Sequence, residues 1–344
     1  MIRVLENYDK VFGSEFELKL ITGHGEAPKD IRKSYDIYTY DKPPNWLNPY
    51  SLGYAFFALN SFLKNEETDV LINIAHPLPL GVAVSVLAPK YDMKSIIRVT
   101  GDIFNEHNLS DNFFIKWRKK ILYEIILPRL FKRSDYVITV GEKLRNDFLK
   151  RGYTKDQVKN LPQPFDADEF TAPNQDKGFV KKELGLDPQK FVVLYVGSLS
   201  WIKGGDRLLS VVKETARKKS NDFQFCIVGS GTYKTDFEDI SNSLVKVIGY
   251  VPPDKVLPFY QAADAFIYPT RSDGLPNVIL EAISSEIPIL ATPVGEIPYI
   301  LENTYDFKAF KNKIVERDFE HVNKEKVDYL NFNKTKESYL KLVR

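Results

Sequence analysis

The stretch PTRSDGLPNVILEAISSEIPILATPVGEIP, residues 269–298, predicts a loop, a helix, a strand and a second loop in that order. Pro276 suits the first turn of a helix that begins after Gly274. Such a helix leaves backbone N–H groups unbonded over residues 275–278, and a helix N-terminus favours phosphate. The stretch therefore predicts a binding site for a phosphate-bearing ligand.

Two carboxylates lie eight positions apart in this stretch, Asp273 in the first loop and Glu281 in the helix. Glu281 follows Asn277 by one turn on the same helix face, where it could accept hydrogen bonds from the vicinal hydroxyls of a ribose. Asp273 could hold hydroxyls on a group beyond the phosphates, and Gly295 marks a later loop that could help to enclose the ligand. The order suits a nucleoside diphosphate that carries a sugar. The alternative is a surface loop and helix with solvated acids.

The upstream segment VGSLSWIKGGDRLL (196–209) supports the same interpretation. A strand ends at Gly197, a short loop presents Lys203, and Asp206 is a candidate N-cap for the next helix. A lysine in this loop could place a cation on a diphosphate leaving group. The alternative is a solvated loop lysine.

Apolar runs of strand length alternate with amphipathic runs of helix length, which predicts an α/β protein with parallel sheets covered on both faces. A segment rich in Pro, Asp and Asn, residues 160–178, indicates an interdomain linker. The predicted strands are 16–23, 69–75, 95–101 and 135–141 before the linker, and 191–197, 223–229, 245–251 and 265–269 after it. The sequence thus predicts two doubly wound domains, residues 1–165 and 166–344, which face each other across a ligand cleft.

The composition is that of a globular protein, with 344 residues, 43% hydrophobic, 27% charged and a net charge of +2. The small net charge gives no indication of nucleic-acid binding. The single cysteine, Cys226, lies in an apolar run, which favours a core residue over a nucleophile and fits a reducing compartment. Neither a signal peptide nor a membrane-spanning run is predicted, so we expect a cytoplasmic protein that contacts a membrane only at its surface.

On these residues the chain resembles glycosyltransferase family 4, the retaining sugar transferases of GT-B fold. The resemblance covers most of the chain and is strongest in YVGSLSWIKGGDRLL, CIVGSGTYK, VIGYVPPDKVLPFYQAADAFIYPT, SDGLPNVILEA and PILATPVGEIP. The N-terminal half matches more loosely, in DVLINIAHP and RSDYVITVGEKLRNDFLKRG. The resemblance implies two Rossmann-like domains, of which the C-terminal one binds a UDP- or GDP-sugar and the N-terminal one faces the acceptor.

By this resemblance Glu281 binds the ribose, Asp273 the transferred sugar and Lys203 the phosphates, and these three are the implied catalytic residues. The backbone around Tyr250 and Val251 faces the base. The implied donor-binding set is Gly197, Ser198, Lys203, Gly229, Tyr250, Val251, Asp273, Gly274, Leu275, Pro276, Asn277, Val278 and Glu281.

The implied reaction moves a glycosyl group to an acceptor hydroxyl with retention at the anomeric carbon. Negative charge grows on the departing diphosphate, and Lys203 and the helix N-terminus are placed to stabilise it. No metal or other cofactor is then required, and the only D-x-D triplet, Asp166–Asp168, lies in the linker. The leaving phosphate can itself deprotonate the acceptor.

The chain departs from the family pattern at several positions. The paired-glutamate motif begins with Asp273, which is one methylene shorter than glutamate, and Ser198 replaces a frequent arginine beside the phosphates. Glu286 stands where the family usually has a glycine at a helix end, which indicates a structural difference. The N-terminal residues resemble the helix and second strand of the family domain, so the family's first strand is expected to be absent.

The acceptor side offers three candidate residues, His76 at the end of a predicted strand and Asp102 and His107 after the next one. For each histidine, the alternative is a loop or core residue. A glycan and a lipid-linked glycan are both open as acceptors.

The segment FFIKWRKKILYEIILPRLFKR, residues 113–133, has seven basic residues and one acidic residue. On a helical wheel Phe114, Trp117 and Ile125 share an apolar face, and Lys116 and Lys120 lie opposite. Such a helix could rest on an anionic membrane at the inner face, which would favour a lipid-linked acceptor. The alternative is an ordinary helix packed on the sheet with a solvated basic face.

Two other functions fit parts of the pattern. A catalytically silent nucleotide-sugar-binding protein or partner subunit would explain Asp273 and Ser198. A GT-B sugar-nucleotide epimerase would share the donor site but needs acid and base groups that rework the sugar. The close likeness of SDGLPNVILEA to transferases makes the epimerase the weaker alternative.

Overall fold

A computed structural model describes residues 8–13, 15–22, 36–39, 49–74, 77–110, 112–170, 176–219, 222–240, 243–322 and 332–344. The chain forms two compact units. Unit 1 comprises Met1–Pro164 and Asn333–Arg344, and unit 2 comprises Phe165–Phe332. Each unit is an α/β structure with parallel strands, as the alternation of strand and helix runs predicts.

Unit 1 holds two parallel sheets. In the first, β1 (Lys19–Thr22) pairs with β2 (Asp36–Thr39). The second has the strands β3 (Val70–Asn73), β4 (Lys94–Val99), β5 (Tyr136–Thr139) and β6 (Val158–Asn160), hydrogen-bonded in that order. The strands β2 and β6 are not predicted from the sequence and have only four and three residues. Such short runs carry too little periodicity to be recognised.

Between residues 49 and 149, the described part of unit 1 forms five α-helices before the linker. They are α1 (Pro49–Asn65), α2 (Leu80–Leu87), α3 (Phe113–Ile121), α4 (Leu127–Phe131) and α5 (Glu142–Leu149), with short 3-10 turns at Ala88–Tyr91 and Glu106–Leu109.

The basic segment 113–133 is helical as far as Phe131, but the helix is not regular. A π-helical turn, Leu122–Ile126, separates α3 from α4. None of the residues of α3 is buried, whereas Tyr123 and Phe131 lie in the core of unit 1. The expectation of a helix packed on the sheet therefore holds for the second half of the segment and not for α3.

Unit 2 contains a five-stranded parallel sheet. Its strands are β7 (Phe191–Val196), β8 (Phe223–Val228), β9 (Val245–Gly249), β10 (Ala265–Tyr268) and β11 (Ile289–Ala291), in the spatial order β11-β10-β7-β8-β9. The order reverses between the neighbours β7 and β10. In open α/β sheets, ligands bind beyond the carboxyl ends of the strands at such a reversal. The loops that follow β7 and β10 are therefore the place to look for a site.

The helices of unit 2 are α6 (Lys177–Glu183), α7 (Gly205–Lys219), α8 (Lys234–Glu238), α9 (Leu257–Ala262), α10 (Asn277–Ser284), α11 (Ile297–Ile300) and α12 (Phe307–Glu316), with 3-10 turns at Ala167–Phe170 and Pro253–Lys255. The core between these helices and the sheet includes Cys226, which is fully buried. Burial raises the pKa of the Cys226 thiol to about 12, so the side chain is a neutral core group, as predicted.

The last helix of the chain, α13 (Phe332–Val343), belongs to unit 1 and not to the C-terminal domain that the sequence predicts. Tyr339 packs edge-on against Tyr8 and Phe12, and its hydroxyl lies 3.0 Å from that of Tyr8. The predicted domain boundary, after residue 165, lies one residue from the division between the units, which follows Pro164. The linker composition carries no signal that the chain later returns.

Glu286 ends α10 in a left-handed conformation, with a φ of 57°. Such a residue follows many helices and is usually glycine, since a side chain costs about 1 kcal/mol there. We expect Glu286→Gly to raise the free energy of unfolding by about 1 kcal/mol. Urea denaturation checks this, with Glu286→Ala as the control because alanine keeps the strain. An equal gain from both variants would show that charge, not backbone conformation, is responsible.

Candidate functional site

The loops after β7 and β10 meet through an ion pair. Lys203 lies in the first loop and Asp273 in the second, and the Lys203 Nζ lies 2.5 Å from the Asp273 Oδ2. The hydroxyl of Tyr268, the last residue of β10, donates to the same oxygen at 2.5 Å, and the N–H of Gly274 donates to Oδ1 at 2.9 Å. Two predicted site residues are thus in direct contact at the reversal of the strand order.

Tyr268 is a member of this cluster that the sequence analysis does not identify. Its side chain is buried, with 3% of the residue exposed. Burial raises the pKa of Tyr268 well above its usual value, and the charge of Asp273 raises it further. The hydroxyl is therefore a neutral donor. One feature of the sequence could have identified it. Tyr268 is a tyrosine in the final position of an otherwise apolar strand, so its hydroxyl reaches the end of the sheet.

The segment that follows Asp273 leads into α10. Pro276 is the N-cap residue and the helix begins at Asn277, close to the predicted start. Gly295 holds the segment in place from the other side, because its backbone approaches so closely that an added Cβ would lie 2.2 Å from the carbonyl oxygen of Asp273. The N–H of Glu296 donates to the carbonyl of Gly274 at 3.0 Å. The two loops of the opening stretch therefore pack together.

Glu281 lies on the inner face of α10 with 6% of the residue exposed. The hydroxyl of Tyr260, on α9, donates to its Oε2 at 2.7 Å. Each of the two carboxylates thus accepts a hydrogen bond from a buried tyrosine on a neighbouring element. Glu281 is too buried to be the solvated acid of the alternative interpretation.

The remaining donor-side candidates follow β7, β8, β9 and β10 at the same edge of the sheet. The N–H of Gly197 donates to Val228 at 3.0 Å, and that of Gly229 donates to Gly249 at 2.7 Å. The carbonyl of Ser198 accepts from the buried hydroxyl of Tyr195 at 2.9 Å. Tyr250 and Val251 follow β9, whereas Leu275 and Val278 follow β10. Tyr250 is exposed, and the other three pack partly on the core.

An arginine braces the two loops of the ion pair. Arg271 donates twice to Asp206, at 2.6 Å from each nitrogen, and its guanidinium lies 4.3 Å from the ring centroid of Trp201. This bidentate bond holds the pKa of Asp206 below its usual value. The prediction of Asp206 as an N-cap is wrong, because α7 already begins at Gly205 and the carboxylate binds Arg271.

The acceptor-side candidates lie in unit 1, apart from His76, which is outside the described residues. Asp102 forms an ion pair with Lys143 at 2.9 Å and accepts from Asn105 at 2.8 Å. His107 is buried, and its Nδ1 lies 3.8 Å from Glu124. Neither contact bears on an acceptor, so both residues stay predictions.

In the part of the chain that the structure describes, no three His, Cys, Asp or Glu side chains are grouped as a metal ion requires. Nor does any helix there have the length and apolarity needed to cross a membrane.

Two family models match the chain. The model for Glycosyltransferase Family 4 matches residues 13–169, and the model for Glycosyl transferases group 1 matches residues 190–319. Together they account for most of the sequence, and the second includes the whole opening stretch.

Individual relatives are distant. The chain is 24% identical over 274 residues to TuaC of Bacillus subtilis (strain 168), named as a teichuronic acid biosynthesis glycosyltransferase, an alignment that covers 78% of this chain and 65% of TuaC. It is 25% identical over 197 residues to the alpha-galactosylglucosyldiacylglycerol synthase of Streptococcus pneumoniae (strain ATCC BAA-255 / R6), covering 56% of this chain and 52% of the synthase. The chain thus spans about half to two thirds of the length of these relatives.

A solved structure shares the fold. The crystal structure of Anabaena Alr3699/HepE in complex with UDP and glucose superposes with a TM-score of 0.73 at 14% identity, over 98% of this chain and 94% of that chain.

Proposed function

Because this chain belongs to the group 1 glycosyltransferases of the family 4 type, which have the GT-B fold, we propose that it is a retaining glycosyltransferase. It moves a sugar from a nucleotide sugar to the hydroxyl of an acceptor. The single observation that carries the proposal is the contact of Lys203 with Asp273 beside α10, at the strand-order reversal of unit 2. A cation, a carboxylate and a helix N-terminus at this place suit a sugar diphosphate.

The proposed roles follow from the charges of the site. The diphosphate lies at the N-terminal amides of α10 and draws Lys203 to it, while Glu281 accepts from the ribose and Asp273 from the sugar. The bond between the anomeric carbon and the phosphate oxygen breaks as the acceptor oxygen bonds to that carbon. The acceptor proton passes to the leaving phosphate. Lys203 and the amides stabilise the negative charge that develops, so the proposal requires no metal.

Calorimetric titration tests the donor site. UDP, GDP and ADP, with UDP-glucose, GDP-mannose and ADP-glucose, are titrated first without metal and then with Mg²⁺. We expect one nucleotide to bind without metal. The substitution Glu281→Ala should weaken the binding free energy of that nucleotide by about 1–3 kcal/mol, the cost of a charged hydrogen bond left unmade. Glu286→Ala, an exposed acid just past the same helix, is the matched control. If no nucleotide binds, the donor-site assignment of Asp273 and Glu281 fails.

A catalytically silent nucleotide-sugar-binding protein is the second candidate function. The shorter Asp273 and its direct bond to Lys203 favour it, because the carboxylate is already paired with a cation. Donor binding with no release of the nucleoside diphosphate, on any acceptor tried, would select this function over transfer.

We further propose that the acceptor is a lipid-linked glycan or lipid and that α3 docks on an anionic membrane surface. Phe113, Phe114 and Trp117 are 73%, 74% and 56% exposed on α3, among Lys116 and Lys120 and two further basic residues. Exposed aromatic side chains beside several cations suit the interface of an anionic bilayer. The Streptococcus relative, whose name describes a diacylglycerol glycolipid, agrees with such an acceptor.

Sedimentation with vesicles tests the docking surface. We expect the protein to pellet with vesicles that contain anionic lipid at low salt, and less at high salt. Phe113→Ser with Trp117→Ser should abolish pelleting, whereas Phe179→Ser, an exposed phenylalanine of unit 2, should not. Equal pelleting with neutral vesicles would overturn the role of anionic lipid in docking. No pelleting with anionic vesicles at low salt would remove the proposal and favour a glycan acceptor away from the membrane.

A further inference from the structure

The carboxylate of Asp273 has three donors in this structure. Lys203 and Tyr268 both reach Oδ2, each at 2.5 Å, and the N–H of Gly274 reaches Oδ1 at 2.9 Å. Lys203 is the most mobile of the three, because it is a flexible chain with 31% of the side chain exposed. Tyr268 has a rigid ring, and the ring packs parallel to that of Phe266.

If the proposed function holds, Lys203 must divide its charge between two anions. In the structure its partner is Asp273, whereas the diphosphate of a donor is the stronger anion and lies beside the same loop. When Lys203 turns to the diphosphate, Asp273 loses its only cation among these three donors. Tyr268 and Gly274 are then the groups that keep the carboxylate hydrogen-bonded, and a partly buried carboxylate that loses its donors is strongly destabilised.

We propose that Tyr268 is a positioning residue that holds Asp273 toward the transferred sugar when Lys203 moves to the diphosphate. The inference rests on the proposed function and names what fixes its sugar-facing acid. Asp273 is one methylene shorter than glutamate and has one fewer torsion, so two fixed donors set its direction: the N–H of Gly274 holds Oδ1, and the hydroxyl of Tyr268 holds Oδ2. Since burial keeps the pKa of Tyr268 high, the hydroxyl stays a donor at any pH at which the protein is assayed.

The other carboxylate provides an internal comparison. Tyr260 donates to Glu281 at 2.7 Å, as Tyr268 does to Asp273, but Glu281 is assigned to the ribose. Loss of the Tyr260 hydroxyl should therefore weaken a nucleotide and its sugar conjugate equally. Loss of the Tyr268 hydroxyl should weaken only the sugar conjugate.

The experiment measures the affinity ratio between sugar conjugate and nucleotide for the pairs UDP-glucose and UDP, GDP-mannose and GDP, and ADP-glucose and ADP. For the pair that binds, Tyr268→Phe should lower the affinity for the conjugate about ten-fold and leave the nucleotide unchanged. Tyr260→Phe should leave the ratio unchanged. In an Asp273→Asn background Tyr268→Phe should have no further effect, a dependence that general loss of structure would not produce.

Lys203→Met is the second variant, and it tests the inference even if Tyr268→Phe does not fold. Its expected effect differs from that of Tyr268→Phe, which weakens the sugar conjugate alone. Lys203→Met should lower both affinities and preserve their ratio, since Tyr268 still holds Asp273. The inference is overturned if Tyr268→Phe leaves the ratio of conjugate affinity to nucleotide affinity unchanged, or if Lys203→Met lowers that ratio. Either result leaves the donor site intact. Equal affinities for conjugate and nucleotide in the native chain also overturn it. No binding of any nucleotide overturns the proposed function and the inference with it.

Discussion

Lys203→Met is expected to slow the release of nucleoside diphosphate from the donor by roughly 100- to 1,000-fold, the usual effect of removing one group that stabilises developing charge. Lys203 is the cation that the structure places beside Asp273 and the N-terminal end of α10. Ser198 supplies no second cation in the position where the family often has an arginine. The helix amides remain in the variant, so a residual rate is expected.

The measurement is the initial rate of diphosphate release from the sugar conjugate that the native chain binds, with water or a lipid glycan as acceptor. Lys213→Met is the matched control, because Lys213 is an exposed lysine on α7, ten positions further along the chain. Lys213→Met should retain the native rate. A drop of the same size in both variants would mean that total charge, and not the contact of Lys203 with the site, governs the reaction.

The second large effect is expected from Gly295→Ala, which should lower the free energy of unfolding by about 3 kcal/mol and abolish nucleotide binding. Gly295 has a φ of 55°, and its added Cβ would lie 2.2 Å from the carbonyl oxygen of Asp273 and 2.4 Å from that of Gly274. Both atoms are backbone and cannot turn aside. The segment that carries Asp273 into α10 must therefore move.

The control variant Gly249→Ala separates the cost of a left-handed backbone from the cost of a steric clash. Gly249 has a φ of 85°, but an added Cβ there would meet no atom within 4 Å. It should cost only about 1 kcal/mol, the left-handed penalty alone. Urea denaturation of both variants, with UDP and GDP titrations, makes the comparison. If the free energy of unfolding falls equally in Gly295→Ala and Gly249→Ala, the close approach of the two loops does not contribute to stability.

The parallel strands of unit 2 could be predicted from the sequence because each is a largely apolar run with a glycine or proline at or soon after its end. A strand buried on both faces has little other possible pattern, as β8 illustrates with six buried residues. The start of α10 was also predictable, since Gly274 and Pro276 restrict the backbone locally. These features depend on neighbours in the chain, and the sequence contains them directly.

The contacts of the site could not be predicted in this way. The sequence pattern predicts different parts of a ligand as the partners of Lys203 and Asp273, and only the fold shows that the two side chains contact each other. Tyr268 and Tyr260 look like ordinary core residues in sequence, because what distinguishes them is the carboxylate that each hydroxyl reaches. Such pairs depend on how distant segments converge in space, and one sequence carries no record of that convergence.

The return of α13 to unit 1 has a consequence for how the protein is made. Unit 2 is in effect an insertion within unit 1, because the chain leaves unit 1 after Pro164 and re-enters it at Asn333. On the ribosome, all of unit 2 emerges before the aromatic contacts of Tyr339 with Tyr8 and Phe12 can form. Unit 2 can therefore fold before unit 1 is complete, because α13 of unit 1 is synthesised after unit 2. This reverses the usual N-terminal-first order of domain folding.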